Sequence, residues 1–270
     1  MSQTTAIILV FIASFLWGSW LQARKYTGDF PLTTFMVWLY FSSVVLVWLV
    51  IGIYGFFKPL DIWNHVARDP IRASLVMLCG AGMAIGMYIQ MNVIDKVGLI
   101  LSNSVSATFG VLLGTLLTVC IGGLPSNVSL WVVGLSVLVL ITATFLCQYS
   151  GKMRDHDLRR KSVRPAVTQD TKAVFLLILS SILITAYPLG MSIGVKTDYS
   201  DFGFPALICV GLLSVGSFLG IFIFCSFSLT RKREWGTLVD PKYRKAIGIS
   251  CLCGACHYGG NVLHVLSSAV

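Results

Sequence analysis

Eight long apolar stretches alternate with shorter polar segments along the whole chain. Each stretch has about the 20 residues that a helix needs to cross the hydrocarbon core of a bilayer. Backbone groups inside lipid must form their hydrogen bonds within the segment, which favours helices. The pattern therefore predicts an all-α polytopic membrane protein. The predicted helices cover residues 4–22, 33–56, 72–94, 97–121, 129–149, 173–195, 204–228 and 246–268.

The last three stretches repeat motifs of the first three. Ser14–Trp20 in the first stretch returns as Ser181–Tyr187 in the sixth, and Cys79–Gly82 in the third returns as Cys253–Cys256 in the eighth. A long polar segment separates five predicted helices from three. Because each repeat would hold an odd number of helices, the second copy enters the membrane from the opposite face, as in many secondary transporters.

This inverted repeat of five-helix units divides the chain into three parts. Residues 1–149 form the first repeat, residues 150–171 a basic linker, and residues 172–270 a second repeat with three helices. Relative to the first repeat, the second lacks about two helices. We expect a truncated product, with a genuine eight-helix variant as the alternative.

Composition agrees with a membrane protein. The chain has 56% hydrophobic and 11% charged residues, with a mean hydropathy of +0.83, which does not fit an ordinary soluble domain. The eight cysteines lie within or at the ends of apolar stretches, so no disulfide framework is expected. Cys253, Cys256 and His257 share a helix face, but zinc ligands usually come from separate segments, so we expect no metal and no cofactor.

The net charge of +9 is unevenly distributed. Counted by alternate loops, sixteen Lys and Arg residues fall on one side of the membrane and four on the other. By the positive-inside rule the rich side, including the linker at 150–171, is cytoplasmic. The charge is therefore interpreted as a topology signal, with contact to anionic lipid as a secondary role, and no nucleic-acid partner is expected. We expect a multi-pass protein of the plasma membrane rather than of an endomembrane.

Polar side chains inside a membrane span are costly and often functional. In the eighth stretch Cys253, His257 and His264 follow helical spacing along one face, and Gln90 holds the position in the third stretch that matches His264. Two alternative roles stay open for these side chains: hydrogen bonding between helices and contact with the solute. His257 and His264 are candidates for proton coupling because imidazole titrates near neutral pH. Alternatively, His257 is a buried neutral side chain and His264 lies at the outer interface.

Other candidates for solute contact are aromatic or amide side chains. Trp17, Trp20 and Tyr187 offer flat surfaces for a sugar or heterocycle, although Trp20 could instead anchor the interface. Pro188 should weaken the sixth helix next to Tyr187, and interrupted helices often line transporter sites. Asn103 is the best polar contact at the start of the fourth helix, with helix–helix bonding as the alternative. The complete set of candidate substrate-binding residues is Trp17, Trp20, Gln90, Asn103, Tyr187 and Asn261.

Several short motifs resemble the drug/metabolite transporter (DMT) superfamily, whose members consist of two inverted five-helix repeats. The motifs similar to the ureide permease branch are Trp17–Trp20, Arg68–Pro70 and Val97–Leu99 with Gly114–Leu116. Those similar to the glucose/ribose-uptake branch are Arg24–Asp29 and Ile94–Leu99. The first branch implies transport of ureides and pyrimidines, often with protons, and the second implies transport of sugars.

The sequence therefore predicts a secondary transporter of a small neutral polar metabolite, either a sugar or a ureide or nucleobase, with a proton as candidate co-substrate. Alternating access would arise from the two opposed repeats. The expected partners are the solute and the lipid bilayer, and the oligomeric state stays open. We expect no enzyme and no catalytic residue, because no phosphate-binding loop, paired intramembrane carboxylates or Ser/His/Asp arrangement is found. The alternative is a truncated, non-transporting protein with an assembly or regulatory role.

Overall fold

The computed structural model describes residues 3–122, 128–161, 171–196 and 202–268. These residues are almost entirely helical, and their only strand-like pairing is an isolated bridge between Val195 and Phe204. The helices are α1 (Gln3–Ala23), α2 (Leu32–Phe57), α3 (Ile62–Arg68), α4 (Pro70–Val97), α5 (Leu99–Leu117), α6 (Leu130–Lys161), α7 (Thr171–Ile184), α8 (Ala186–Gly194), α9 (Ala206–Lys232) and α10 (Arg244–Ser268).

Seven helical segments of the described chain are long and apolar enough to cross a membrane. They contain α1, α2, α4, α5, α6, the α7–α8 pair and α9, which confirms the predicted all-α membrane class. The eighth predicted helix is present as α10 but is not among the seven. Two cations at its start and a row of polar residues along its length lower its hydropathy. Its polar groups are partly buried against other helices rather than presented to lipid.

The sixth predicted helix is interrupted between α7 and α8 at Thr185. Pro188 lacks an N–H and so leaves the carbonyl of Ile184 without its usual intrahelical donor. The chain continues because Leu189 N–H donates to the Thr185 carbonyl at 3.2 Å. The sequence predicted that Pro188 would weaken this helix. The structure shows a break at Thr185, three residues before the proline.

The chain forms two compact units. Unit 1 comprises Met1–Ala84 with Ile193–Val270, and unit 2 comprises Ile85–Ser192. These units do not follow the predicted repeat boundaries, and the division into two repeats stays a prediction. Helix α6 continues to Lys161, inside the predicted linker at 150–171, and residues 162–170 of that linker lie outside the described residues.

In unit 1, α2 crosses α10 at a point where small residues allow close contact. Gly254 lies so close to α2 that a Cβ on it would overlap the carbonyl oxygen of Leu39 and the hydroxyl of Ser42. The Ser43 hydroxyl donates to the Gly254 carbonyl at 3.1 Å, and the Ser42 hydroxyl lies 3.0 Å from the Cys251 carbonyl. Small residues and hydroxyl groups are the usual means of packing helices in a membrane, where lipid tails already solvate apolar surface.

The same arrangement occurs between α9 and the first half of α4, also in unit 1. A Cβ on Gly80 would overlap the carbonyl oxygen of Leu213, and the Ser217 hydroxyl donates to the Gly80 carbonyl at 2.9 Å. Ser217 follows Ser43 by the same number of residues as Gly254 follows Gly80. Under the predicted repeat, the two crossings would use corresponding positions in the two halves of the sequence.

The connection between α9 and α10 is fixed to the start of α2. Arg233 ends α9 in a left-handed conformation (φ 57°) and turns the chain back. The hydroxyls of Thr237 and Thr34 are 2.6 Å apart, and the Trp38 indole donates to the Leu238 carbonyl at 3.0 Å. Two contacts with α2 thus hold this connection in place.

Unit 2 is organised around α5, which packs against α6 and α7. The hydroxyls of Thr108 and Thr144 are 3.1 Å apart and join α5 to α6. The second half of α4 approaches α7 closely at Gly86, where a Cβ would lie 2.8 Å from the Leu183 side chain and 3.0 Å from the Ser180 carbonyl. A small apolar core forms around Val93, Ala173 and Leu177.

Candidate functional site

Five of the eight candidate site residues lie together in unit 1, on α1 and α10. His257, Asn261 and His264 follow one another at intervals of one helical turn on α10. The start of α2 adds Tyr40 to the group. We call this group the polar–aromatic cluster: Trp17, Trp20, Tyr40, His257, Asn261 and His264.

Trp17 and Asn261 form the hydrogen-bonded end of the polar–aromatic cluster. The Trp17 indole N–H donates to Asn261 Oδ1 at 2.9 Å. An indole nitrogen can only donate, so this bond determines which way the amide points. Gly260 makes the approach possible, because a Cβ there would lie 2.6 Å from Trp17 Nε1. The His264 ring lies 5.3 Å from the Trp17 ring, measured between centroids.

His257 is enclosed by three aromatic rings. Its ring centroid lies 5.0 Å from that of Trp20, 5.8 Å from that of Tyr40 and 5.3 Å from that of Tyr258. The imidazole is 3% exposed and Tyr40 is fully buried. In this state the surroundings of His257 are therefore closed, whereas Trp17 and His264 are half-buried. A solute would reach His257 only if the surrounding helices moved.

Four buried polar atoms of the cluster have no hydrogen-bond partner among the residues that the structure describes. They are Nδ1 and Nε2 of His257, Oη of Tyr40 and Nδ2 of Asn261. Leaving such an atom unpaired costs about 1–3 kcal/mol. Native proteins rarely accept this cost, so a concentration of unpaired groups calls for an explanation such as water or a ligand.

Tyr258 lies beside the cluster and is a buried tyrosine whose hydroxyl has hydrogen-bond partners. Its hydroxyl lies 2.6 Å from the Ser217 hydroxyl and 3.2 Å from the Leu213 carbonyl. Tyr40 lies on the neighbouring helix with its ring centroid 6.3 Å from that of Tyr258. Burial alone therefore does not explain why the Tyr40 hydroxyl is unpaired.

The unpaired groups define the chemistry that would satisfy them. The Asn261 amide offers N–H donors, a neutral imidazole offers one donor and one acceptor, and a tyrosine hydroxyl offers both. The cluster contains no carboxylate, Lys or Arg side chain. It is therefore suited to a neutral molecule that carries both carbonyl or hydroxyl acceptors and N–H or O–H donors, with Trp rings available for stacking.

Gln90 belongs to a different set of contacts in unit 2. Its Nε2 donates to the Ser106 hydroxyl at 3.0 Å, and Ser106 lies 3.0 Å from the Ser181 hydroxyl. Ser181 in turn donates to the Leu177 carbonyl at 2.7 Å. This series of hydrogen bonds joins α4, α5 and α7. Interhelical bonding, one of the two alternatives for Gln90, is therefore present. Solute contact by Gln90 stays a prediction.

Asn103 and Tyr187 also lie in unit 2. Asn103 is exposed on α5, whereas its neighbours Ser102 and Ser104 are buried. Tyr187 is half-buried on α8, two residues after the break at Thr185. Their roles in solute contact stay predictions.

Tyr40 is the cluster member that the sequence did not single out. It lies in an aromatic-rich run with Trp38 and Phe41, which is typical of an apolar helix facing lipid. Its position one turn before Ser43, on the buried face of α2, is the signal that could have found it. Among the described residues, no group of three His, Cys, Asp or Glu side chains could hold a metal ion.

Comparison of the chain with protein-family models, curated proteins and solved structures finds no match to any of them. Function is therefore inferred from the residues of the chain itself.

Proposed function

We propose that this protein is a secondary transporter of a small neutral polar metabolite. The observation that carries the proposal is the polar–aromatic cluster, which buries four unpaired polar atoms among membrane-type helices. Polar groups in such a setting are costly, and ionisable ones among them often mark solute pathways. We include α10 as an eighth crossing, since it lies between α1 and α2 and carries half of the cluster.

The donors and acceptors of the cluster favour a solute that carries both kinds of group. A ureide or nucleobase presents carbonyl and N–H groups on one planar face, and a sugar presents hydroxyls. Trp17 and Trp20 can stack on either. These are the solute classes of the ureide permease and glucose/ribose-uptake branches, which the chain resembles, so we place it with the DMT superfamily as a hypothesis.

The inverted repeat is the second part of the proposal, and the helix crossings support it. The bond from Ser43 to the Gly254 carbonyl has its counterpart in the bond from Ser217 to the Gly80 carbonyl. Exchange of the two halves of the sequence converts one contact into the other. Such reciprocity is expected of two repeats related by a two-fold axis in the membrane plane.

A second pair of contacts, one inside each unit, supports the same repeat. In unit 1 Gly260 packs against Trp17 and Ala13. In unit 2 Gly86 packs against Ile184 and Ser180. When Ser14–Trp20 is aligned with Ser181–Tyr187, Trp17 corresponds to Ile184 and Ala13 to Ser180. Equivalent glycines thus touch equivalent residues. Two such repeats could expose one site alternately to each side.

Proton coupling would use His257 and His264. Both lie in the polar–aromatic cluster, and neither ring nitrogen of His257 has a hydrogen-bond partner among the described residues. Its bare nitrogen could accept a proton while its N–H donates to the solute. The rings packed against His257 from α1, α2 and α10 are those of Trp20, Tyr40 and Tyr258, and its described contacts include no carboxylate. The proton would then be carried by imidazole rather than by a carboxylate relay.

Uptake into proteoliposomes that contain the protein tests the proposed transport activity. Radiolabelled solute is competed with a panel of ureides, nucleobases and sugars at two external pH values. We expect saturable uptake that one solute class competes, and a rate that changes with external pH. Surface expression with neither uptake nor binding would instead support the non-transporting alternative.

A matched pair of variants tests the site. His257→Phe keeps an aromatic ring of similar size and removes both unpaired nitrogens, so folding should be preserved. We expect uptake to fall roughly tenfold or more, as the loss of one or two hydrogen bonds predicts. His65→Phe, on α3 outside the cluster, should leave uptake unchanged. Equal uptake by the two variants would show that the polar–aromatic cluster is not the solute-binding site.

A further inference from the structure

One end of unit 1 carries a concentration of exposed positive charge. Six cations lie between the end of α9 and the first turn of α10, and all six are exposed. No carboxylate of the described chain lies within salt-bridge distance of any of them. We call these residues, with the connection they flank, the basic loop: Arg231, Lys232, Arg233, Lys242, Arg244 and Lys245.

The two acidic residues of this connection offset only part of its positive charge. Asp240 uses its carboxylate to accept the Lys242 backbone N–H at 2.9 Å, which caps the short turn that follows. Glu234 has one carboxylate oxygen that is buried and lacks a hydrogen-bond partner among the described residues. With six cations against two carboxylates, the basic loop keeps a formal charge of +4.

The basic loop also exposes apolar and aromatic surface. Val239 is 78% exposed and Trp235 is 41% exposed. The Trp235 indole donates to the Thr230 hydroxyl at 3.0 Å, which fixes the ring beside the end of α9. A Trp ring beside cations at the end of a membrane helix is typical of the headgroup region, where its apolar body and polar N–H are both satisfied.

Contacts with neighbouring residues hold the basic loop in place. Its contacts to Thr34 and Trp38 tie it to the first turns of α2, and Tyr243 packs on Phe30 at 5.1 Å between ring centroids. The first turns of α2, the end of α9 and the start of α10 therefore meet at one level. At the end of a membrane helix, Trp and Lys or Arg side chains are expected at the level of the lipid headgroups.

From these observations we propose that the basic loop is a binding surface for anionic phospholipid headgroups. The cations would bind the phosphate, while Val239 and Trp235 enter the boundary between headgroups and acyl chains. This surface is independent of the polar–aromatic cluster, and its test does not require transport.

The test measures the melting temperature of the full chain in uncharged detergent micelles. The micelles contain increasing mole fractions of phosphatidylglycerol or of phosphatidylcholine, and a third series receives inorganic phosphate alone. We expect phosphatidylglycerol to raise the melting temperature while the other two do not. The triple variant Lys242→Gln, Arg244→Gln, Lys245→Gln should need roughly tenfold more phosphatidylglycerol for half the effect.

The control variant removes three exposed cations elsewhere in unit 1, with Lys58→Gln, Arg68→Gln and Lys196→Gln. It should respond to phosphatidylglycerol like the parent chain. An equal loss of response in both variants would overturn the proposal in favour of general charge attraction. An equal rise with inorganic phosphate would overturn the lipid assignment. If the first variant does not fold, Arg231→Gln with Lys232→Gln serves in its place, with the same outcomes.

Discussion

At the scale of single residues, two tyrosines show how buried hydroxyls can differ. Tyr40 and Tyr258 lie on neighbouring helices and are both fully buried. The Tyr258 hydroxyl has two partners, on α9, whereas the Tyr40 hydroxyl has none among the described residues. A buried hydroxyl without a protein partner is more easily explained by a bound water or a ligand than by packing.

Replacement of each tyrosine by phenylalanine separates these roles. Tyr40→Phe removes an unpaired group, so the free energy of unfolding should stay the same or rise, while solute uptake falls roughly fivefold for one lost hydrogen bond. Tyr258→Phe should lower the free energy of unfolding by about 1 kcal/mol. Thermal unfolding in detergent and uptake in proteoliposomes measure the two effects. A stability loss in Tyr40→Phe as large as that in Tyr258→Phe would assign Tyr40 a structural role.

At the scale of helices, the crossings in unit 1 depend on the absence of side chains at two glycines. At Gly254 and at Gly80, a Cβ would meet backbone oxygen, which cannot move aside as a flexible side chain can. Each glycine also presents its carbonyl to a serine, Ser43 or Ser217. Close approach and hydrogen bonding are thus coupled at the same point.

Gly254→Ala should therefore destabilise the protein by about 1–3 kcal/mol, through overlap with α2 and loss of the Ser43 bond. Gly248→Ala, in the same helix, is the control, because no atom lies within 4 Å of a Cβ there. That variant should be neutral or slightly stabilising, as alanine favours helix by up to about 1 kcal/mol over glycine. Thermal unfolding provides the measurement.

The repeat predicts a further result for the equivalent position. Gly80→Ala should cost about as much as Gly254→Ala, since its Cβ would overlap the Leu213 carbonyl in the same way. A neutral Gly80→Ala beside a costly Gly254→Ala would argue against equivalent crossings.

At the scale of the whole molecule, the charge distribution predicts an orientation in the membrane. The basic loop and the loop between α1 and α2 belong to the same end of unit 1, whereas Lys58 and Arg68 lie beyond the opposite end of α2. By the positive-inside rule we expect the basic end to face the cytoplasm.

Cysteine labelling in cells checks this orientation. Arg68→Cys should react with a membrane-impermeant maleimide in intact cells. Lys242→Cys should react only after the cells are permeabilised. The parent chain, which has eight cysteines, supplies the background. The reverse pattern of labelling would contradict the proposed topology.

Much of the fold could be predicted from hydropathy, because a helix in lipid must be long and apolar whatever surrounds it. The break at Thr185 followed from Pro188 for a local reason. The enclosure of His257 could not be derived in this way, since it depends on how α1, α2 and α10 cross. Tyr40 was missed for the same reason, and Gln90 could not be assigned because Ser106 and Ser181 come from other helices.

The attachment of the α9–α10 connection to Thr34 and Trp38 has a mechanical consequence. Because the helices are joined at this end, a small change in the angle between them displaces their far ends more than their joined ends. Helix α2 has 26 residues and is about 39 Å long, so a tilt of roughly 5° moves its far end by about 3 Å, the width of a water molecule. Any gap between these helices would therefore widen first at the end that carries Lys58, and stay narrowest beside Trp235.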